Sequence, residues 1–439
     1  MAHLLPAQPV PDLDAYRAIG GGKALERCHE IGAAEVIATI RSSGLRGRGG
    51  AGFPTGIKWQ GLAQAEGDTK FAVCNAAEGE PGTFKDRAIL RRNPYQVLEG
   101  LAAAAFAIGA GTAFIGIKAK FTEAIRRVED AAHELSAAGL LGQLEVVIVQ
   151  GPDDYLFGEE KGLLEVIEGK DPLPRLYPPY VQGLFEEPGG PPQPALVNNV
   201  ETLANVPHIL DRSAEWFRTL GTTGSPGTMI CSIGGHTNLD LVTEVELGTP
   251  LAALLDFAGG MADAGSPRMI LNGVSNAPLT ADQLDTPVSF EGMRAADSAL
   301  GSAGFTFLGE QTCAVQIAAA ASAFLYRGSC GQCPSCKLGT EAIAERFTAL
   351  AIGGGDTDEI DEIAAWTQRI TDSNRCGLGA GQQALAAGVL ERFPRDLAHH
   401  AAGGVCEFDP VHITTIADWD DSAGSFKYSP SVNTDAPGG

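Results

Sequence analysis

Apolar positions along the chain change their period near residue 70, and that change divides it. Over 23–42 the side chains Leu25, Cys28, Ile31, Val36, Ile37 and Ile40 recur at helical spacing, which predicts one amphipathic helix. From residue 70 short apolar runs alternate with helical stretches. Strands are predicted over 71–75, 112–117 and 144–150, and helices over 86–108, with a break near Pro94, and over 121–138. Such alternation predicts a parallel sheet with both faces covered and ligands held beyond the C-terminal ends of its strands. Eight prolines between Pro172 and Pro194 predict an extended connection, because each pins φ and removes a donor. Beyond Gly221, strands over 229–233, 241–247, 269–271 and 288–290 around a helix over 250–257 suggest a small α+β module. From Thr312 the pattern is helical and Ala-rich, and residues after 400 lose helical period, as a docking arm or loose tail does. The resulting division is 1–221, 222–305, 306–400 and 401–439.

Charge and composition narrow the function. A net charge of −23 excludes a nucleic-acid binder, whose phosphate contacts need a basic surface. The longest apolar run, 101–108, is too short to span a bilayer, and the first eleven residues show no signal-peptide pattern. A cytoplasmic protein, touching a membrane only through partners, is the expectation.

Chemistry concentrates in two kinds of segment. Cys330, Cys333 and Cys336 stand three residues apart, and Cys376 follows forty residues later. A tight triplet plus a distant fourth thiol suits a [4Fe–4S] cluster, one cysteine per iron. A single zinc is the rival, although zinc sites favour two separated knuckles. A disulfide framework is the third option, and adjacent pairs in a long acidic chain argue against it. Cys28, Cys74, Cys231, Cys313 and Cys406 read as small buried hydrophobes. The second kind is glycine-rich. Gly47, Gly49 and Gly52 spell a dinucleotide fingerprint, but a helix precedes them and Pro54 follows, so the usual strand–turn–helix context is missing. The same glycines, with Arg46, Arg48 and Lys58, suit a phosphate cradle instead. Three loops at strand ends, 75–83, 155–160 and 197–202, carry the remaining amide and acidic candidates.

These stretches, 44–59, 74–87, 155–169 with 174–179, 197–207, 232–238, and 329–336 with 376–379, closely resemble the FMN-carrying, 51 kDa-type NADH dehydrogenase subunit of respiratory complex I. Its paralogues serve NAD-linked hydrogenases and formate dehydrogenases. The resemblance implies a Rossmann-like FMN domain, a β-grasp module and a helical bundle with a [4Fe–4S] cluster on Cys330, Cys333, Cys336 and Cys376. It implies FMN contacts from the loops holding Gly47, Gly49, Gly50, Lys58, Asn75, Glu78, Tyr155, Gly158, Glu159, Asn198, Asn199 and Thr202. Phe53, Glu80, Glu160 and Tyr180 fall where the family meets NADH, with Glu80 and Glu160 as the catalytic-site acids. The expected partner is a thioredoxin-like [2Fe–2S] subunit or another iron–sulfur acceptor, and segment 405–428, with Phe408, Ile413, Ile416 and Trp419, is the candidate extra contact.

The chain also departs from the family's pattern. Ala77 replaces an aspartate, Gly61 an aromatic residue, Tyr177 a lysine, Lys161 a threonine and Gly328 a glutamate, and residues 186–193 form an insertion. The expected activity is NADH oxidation with onward electron transfer through the cluster. The alternatives are an NAD-independent electron relay and a scaffold without flavin.

Overall fold

The computed structural model describes residues 3–187, 189–407 and 413–430. A four-stranded sheet, all parallel, has the order β3-β2-β1-β4, with β1 Phe71–Ala76, β2 Thr112–Lys118, β3 Glu145–Gly151 and β4 Ala195–Asn199. Its strands are apolar on both faces, as a doubly covered sheet requires. Ala72 and Cys74 of β1 face the core shared with helices Pro94–Ile108 and Val200–Arg212, whereas Phe71 and Val73 face Phe157, Leu163 and Leu164 on the opposite side. The second layer sits very close. A Cβ on Gly116 of β2 would lie 2.3 Å from Leu163, so a glycine lets helix Glu160–Ile167 press onto the sheet.

Chain order determines where this sheet can bind. β1 to β3 are added in one direction, and the chain then returns to place β4 on the other side of β1. Loops leaving β1 and β4 therefore diverge and open a crevice at the strand C-termini.

The second unit is a four-stranded sheet of order β6-β5-β8-β7, with β5 Thr228–Gly235, β6 Leu241–Glu246, β7 Met269–Asn272 and β8 Gly304–Leu308, and helix Leu251–Phe257 on its core. The strand predicted over 288–290 is absent. Ser289 caps helix Phe290–Ala295 instead, its hydroxyl accepting from the Gly292 N–H at 2.9 Å. One of the two inner strands, β8, parallel to β5 and antiparallel to β7, is not among the predicted strands. The single helix predicted over 23–42 is two, Lys23–Ile31 and Ala33–Ser43, because Gly32 at φ 79° and ψ 161° breaks the ladder between them.

Helices Ala314–Gly328, Pro334–Ala351, Thr357–Thr367, Leu378–Arg392 and Pro394–Ala401 make the third unit. Beyond it, β9 Ile416–Asp420 and β10 Ser425–Tyr428 form an antiparallel ribbon. The ribbon docks on this same chain, so over these residues the segment expected as an arm or loose tail is a packed hairpin. Ile416 and Phe426 are buried in the core of the first unit, and Arg87 donates to the carbonyls of Ile416 (2.7 Å) and Ala417 (3.0 Å). Phe408, part of the same expectation, lies outside the described residues.

Candidate active site

A cavity of about 390 Å³ occupies the crevice at the switch point. Gly49, Gly50, Asn75, Glu78, Glu80, Tyr155, Gly158, Glu159, Asn199 and Cys376, all anticipated, line it. Asn75, near the end of β1, donates to the Gly158 carbonyl at 2.8 Å and so ties two of its loops together. Gly49 packs against Asn199, where an added Cβ would lie 3.2 Å from the asparagine's own. Gly50 sits at φ 127° with nothing within 4 Å of the position a Cβ would take. Asn199 is also the cap of helix Val200–Arg212, its side chain accepting from the Glu201 N–H at 3.0 Å. The wall thus joins bare glycine backbone to the N-terminus of a thirteen-residue helix, which suits a flat ring carrying a phosphate.

The remaining anticipated residues do not line this cavity. Thr202 is buried and accepts from the Arg48 N–H at 2.9 Å, clamping the glycine loop, and Gly47 closes that loop by donating to the Phe53 carbonyl. Asn198 is buried and accepts from the Trp59 indole at 3.4 Å. Phe53 and Tyr180 are 54% and 60% exposed and do not line the cavity. Lys58 and Glu160 also stay off its lining and form an ion pair at 2.8 Å.

The three cations expected to cradle a phosphate are thus otherwise engaged. Arg48 is buried and donates to the Pro226 carbonyl at 3.0 Å, and burial holds its guanidinium down to about 10. Arg46 donates to the Gly52 carbonyl and lies over the Phe290 ring at 3.9 Å.

The cation on the cavity wall is one that sequence reasoning missed. Lys85 is buried and pairs with Asp86 at 2.7 Å and Glu201 at 3.1 Å, and it donates to Asn199 Oδ1 at 3.1 Å. Burial opposes its charge, but those two carboxylates outweigh burial and push the ammonium above the usual lysine range. Burial, opposed by Lys85, raises the Asp86 carboxyl to about 6. The one available signal was adjacency: Lys85 and Asp86 fall inside a matching stretch, yet their spacing carries no motif.

Glu80 is held at the cavity edge by the Tyr155 hydroxyl at 2.6 Å and the Val274 N–H at 2.7 Å, the latter from the second unit. Desolvation raises its carboxyl, and these hydrogen bonds oppose the rise. Glu159 caps helix Glu160–Ile167 by accepting from the Lys161 and Gly162 N–H groups, both at 2.9 Å. Lys161 extends to the Arg375 carbonyl, so the cation neutralising Glu160 is Lys58. Ala77, in place of an aspartate, is buried against the Phe157 cluster.

The thiols converge on the far side of the same wall. Cys333 caps helix Pro334–Ala351, Cys336 lies in its first turn, and Cys376 precedes helix Leu378–Arg392. Helix N-termini favour thiolates. Burial first, then the nearby Cys376, Cys333 and Cys330, push the Cys336 thiol up to about 12. Four thiolates on one zinc would stand about 3.8 Å apart. Among the described residues, however, the sole trio of possible metal donors within 4.8 Å lies elsewhere. The four thiols therefore frame more room than one ion fills, and an all-cysteine iron–sulfur cluster fits them.

Comparisons with known proteins agree with this geometry. Residues 40–208 match the Nuo51 FMN-binding domain, and residues 316–400 match the NADH-ubiquinone oxidoreductase-F iron-sulfur binding region. The chain is 37% identical over 421 residues to the NADH-quinone oxidoreductase F 2 subunit of Rhizobium meliloti, covering 92% of this chain and 99% of that one. It is 36% identical over 417 residues to the NADH-quinone oxidoreductase F subunit of Streptomyces coelicolor, covering 92% of each. The HndC subunit of an NADP-reducing hydrogenase from Solidesulfovibrio fructosivorans is 32% identical over 415 residues, covering 92% and 83%. Among solved structures, an NAD+-reducing [NiFe]-hydrogenase in the H2-reduced state superposes with a TM-score of 0.81 at 28% identity, over 95% of this chain and 70% of that one. With its glycine-walled crevice and its four gathered thiols in the matched regions, the chain belongs to the family of NADH-quinone oxidoreductase F subunits.

Proposed function

We propose that this chain is the NADH-oxidising, electron-relaying subunit of a multi-subunit redox complex, with FMN in the crevice and a [4Fe–4S] cluster on Cys330, Cys333, Cys336 and Cys376. One observation carries the reading. Cys376 is both the fourth thiol of the cluster set and, with Gly377 and Leu378, part of the cavity lining. The two redox sites then share a wall. When bound, FMN accepts a hydride's two electrons and the cluster passes them on singly, a conversion neither could perform alone.

The chain's residues supply placement and charge. Gly49 and Gly50 expose backbone, Asn75 and Glu159 order the loops beside the ring site, and the Asn199 helix terminus and Lys85 supply positive potential. Glu80, fixed by Tyr155 and Val274, borders the place a nicotinamide would take. Phe53 and Tyr180 offer exposed aromatic faces for the rest of the dinucleotide, and the Lys58–Glu160 pair stands near its path. The division at 221, 305 and 400 belongs to this proposal, supported by separate buried clusters within 229–307 and, for the most part, 313–397. A thioredoxin-like [2Fe–2S] partner and a cytoplasmic location reached at membranes only through partners belong to it too. They are supported by the complexes that the relatives' names describe and by the lack, among the described residues, of a helix long and apolar enough to cross a membrane.

The test is anaerobic titration of the flavin-loaded protein with NADH, read as bleaching of the flavin band. Full bleaching by about one equivalent supports the proposal. No bleaching at millimolar NADH in protein shown to hold FMN sinks it in favour of an NAD-independent relay.

A further inference from the structure

Cys313, His400 and Cys406, which belong neither to the cavity nor to the cluster set, form a second gathering of metal-binding side chains. Their donor atoms all lie within 4.8 Å of one another. His400 Nε2 stands 3.1 Å from Cys313 Sγ and 3.3 Å from Cys406 Sγ. On the other side of the ring, Nδ1 lies 2.9 Å from the Leu350 carbonyl. A carbonyl only accepts, so the proton sits on Nδ1 and Nε2 presents a bare lone pair. That lone pair accepts one S–H at most, yet two sulfurs face it. A single cation satisfies all three atoms, and a histidine whose outer N–H is held by a backbone carbonyl is the usual arrangement of a metal ligand. His400 and Cys313 are fully buried, and Cys406 is half-buried, giving an entry side open to water.

We propose that Cys313, His400 and Cys406 bind one zinc ion, with water in the fourth position. Two thiolates and an imidazole are the soft-to-borderline donor set zinc prefers. Tetrahedral bonds of about 2.3 Å to sulfur and 2.1 Å to nitrogen put N and S about 3.6 Å apart, so binding needs an opening of only a few tenths of an ångström. Binding releases the two thiol protons to solvent and changes no oxidation state.

The position implies a structural role. Cys313 caps helix Ala314–Gly328, whose other end leads to Cys330. Leu350 is near the end of helix Pro334–Ala351, whose first residue follows Cys333. Fifteen and eighteen residues make these helices about 22 and 27 Å long, so the zinc pins the end of the bundle opposite the cluster. Through Cys406 it also ties down the chain leaving the last helix, Pro394–Ala401.

The test uses full-length protein purified with its cofactors from zinc-supplemented cells. Metal analysis should find about one zinc per chain besides the cluster iron. Cys406→Ser and His400→Gln should each lose that zinc and keep iron and flavin. Cobalt exchanged into the site should show thiolate-to-metal charge-transfer absorption that weakens in Cys406→Ser. Absence of zinc overturns the proposal, as does zinc retained in Cys406→Ser, or cobalt bound without thiolate absorption. Cys406 is half-buried, so its variant reports even if His400→Gln does not fold.

Discussion

Replacing Lys85 with methionine removes the one cation among three buried charged groups while keeping all but the last atom of the side chain's length. At an effective dielectric of about 20, its attractions to Asp86 at 2.7 Å and Glu201 at 3.1 Å are about 6 and 5 kcal/mol before desolvation is counted. Much of that gross figure offsets the cost of burying the charges, and breaking a buried pair typically costs about 3–5 kcal/mol net. The loss should appear where the charges are. Asn199 would lose the Lys85 donor, and the helix terminus at the cavity would face two unneutralised carboxylates, so FMN retention should fall together with stability. Urea unfolding monitored by flavin release and by tryptophan fluorescence measures both. The pH dependence is distinctive. Asp86 already has a folded-state carboxyl raised to about 6, above its unfolded value of about 3.8. Its contribution to stability is therefore fully present below about 3.8 and lost as pH rises through about 6. Without Lys85 its carboxyl rises further, so the variant's deficit should be largest near pH 8 and shrink towards pH 5.5. Adding Asp86→Asn should recover part of the loss at pH 8. A Lys85→Met protein within about 1 kcal/mol of the parent, or a deficit equal at both pH values, would refute the reasoning.

Other expectations can be checked alongside. Cys376→Ala should lose the low-temperature cluster signal and perturb the flavin spectrum as well, because Cys376 faces both sites, whereas Cys28→Ala should alter neither. Gly61→Phe should lower the apparent KM for NADH by about three- to tenfold, the worth of one stacking face, since nothing stands within 4 Å of an added Cβ there; an unchanged KM would count against a dinucleotide beside that helix. Burial first, then His3 and Arg212, hold the His208 imidazole down to about 3. Its stability contribution is thus complete above about 6.5 and lost as pH falls towards 3, about 2 kcal/mol between pH 7 and 5; His208→Gln should flatten that limb of the urea-midpoint profile.

Local rules determined a good deal of this molecule from sequence alone. Alternating strands and helices specify a parallel sheet because a period-2 apolar run and a period-3.6 run bury their faces in different ways. The thiol triplet could be read because three donors on one short segment stay neighbours however the chain folds, and Cys376 was identified by the residues around it. Asn75, Gly158 and Asn199 were legible as strand- and turn-end residues, which a parallel sheet delivers to one edge.

What the tertiary structure alone decided are choices of partner between distant segments. Arg46, Arg48 and Lys58 are spaced along the sequence as a phosphate cradle would have them, yet carbonyls, an aromatic ring and Glu160 claim them. Lys85 reaches the cavity because Glu201, more than a hundred residues away, buries its carboxylate beside it. Strand β8 escaped prediction, and its place between β5 and β7 is set by neighbours across the fold. The packing of β9 and β10 was not legible because nothing in the ribbon's own sequence names the core that buries Ile416 and Phe426. Cys313, His400 and Cys406 meet only because the last helix lies against the first of its bundle, and a spacing of 87 residues between donors carries no motif. Spacing reports what neighbours along the chain must do; burial and charge pairing across the fold decide which of the possible partners each side chain obtains.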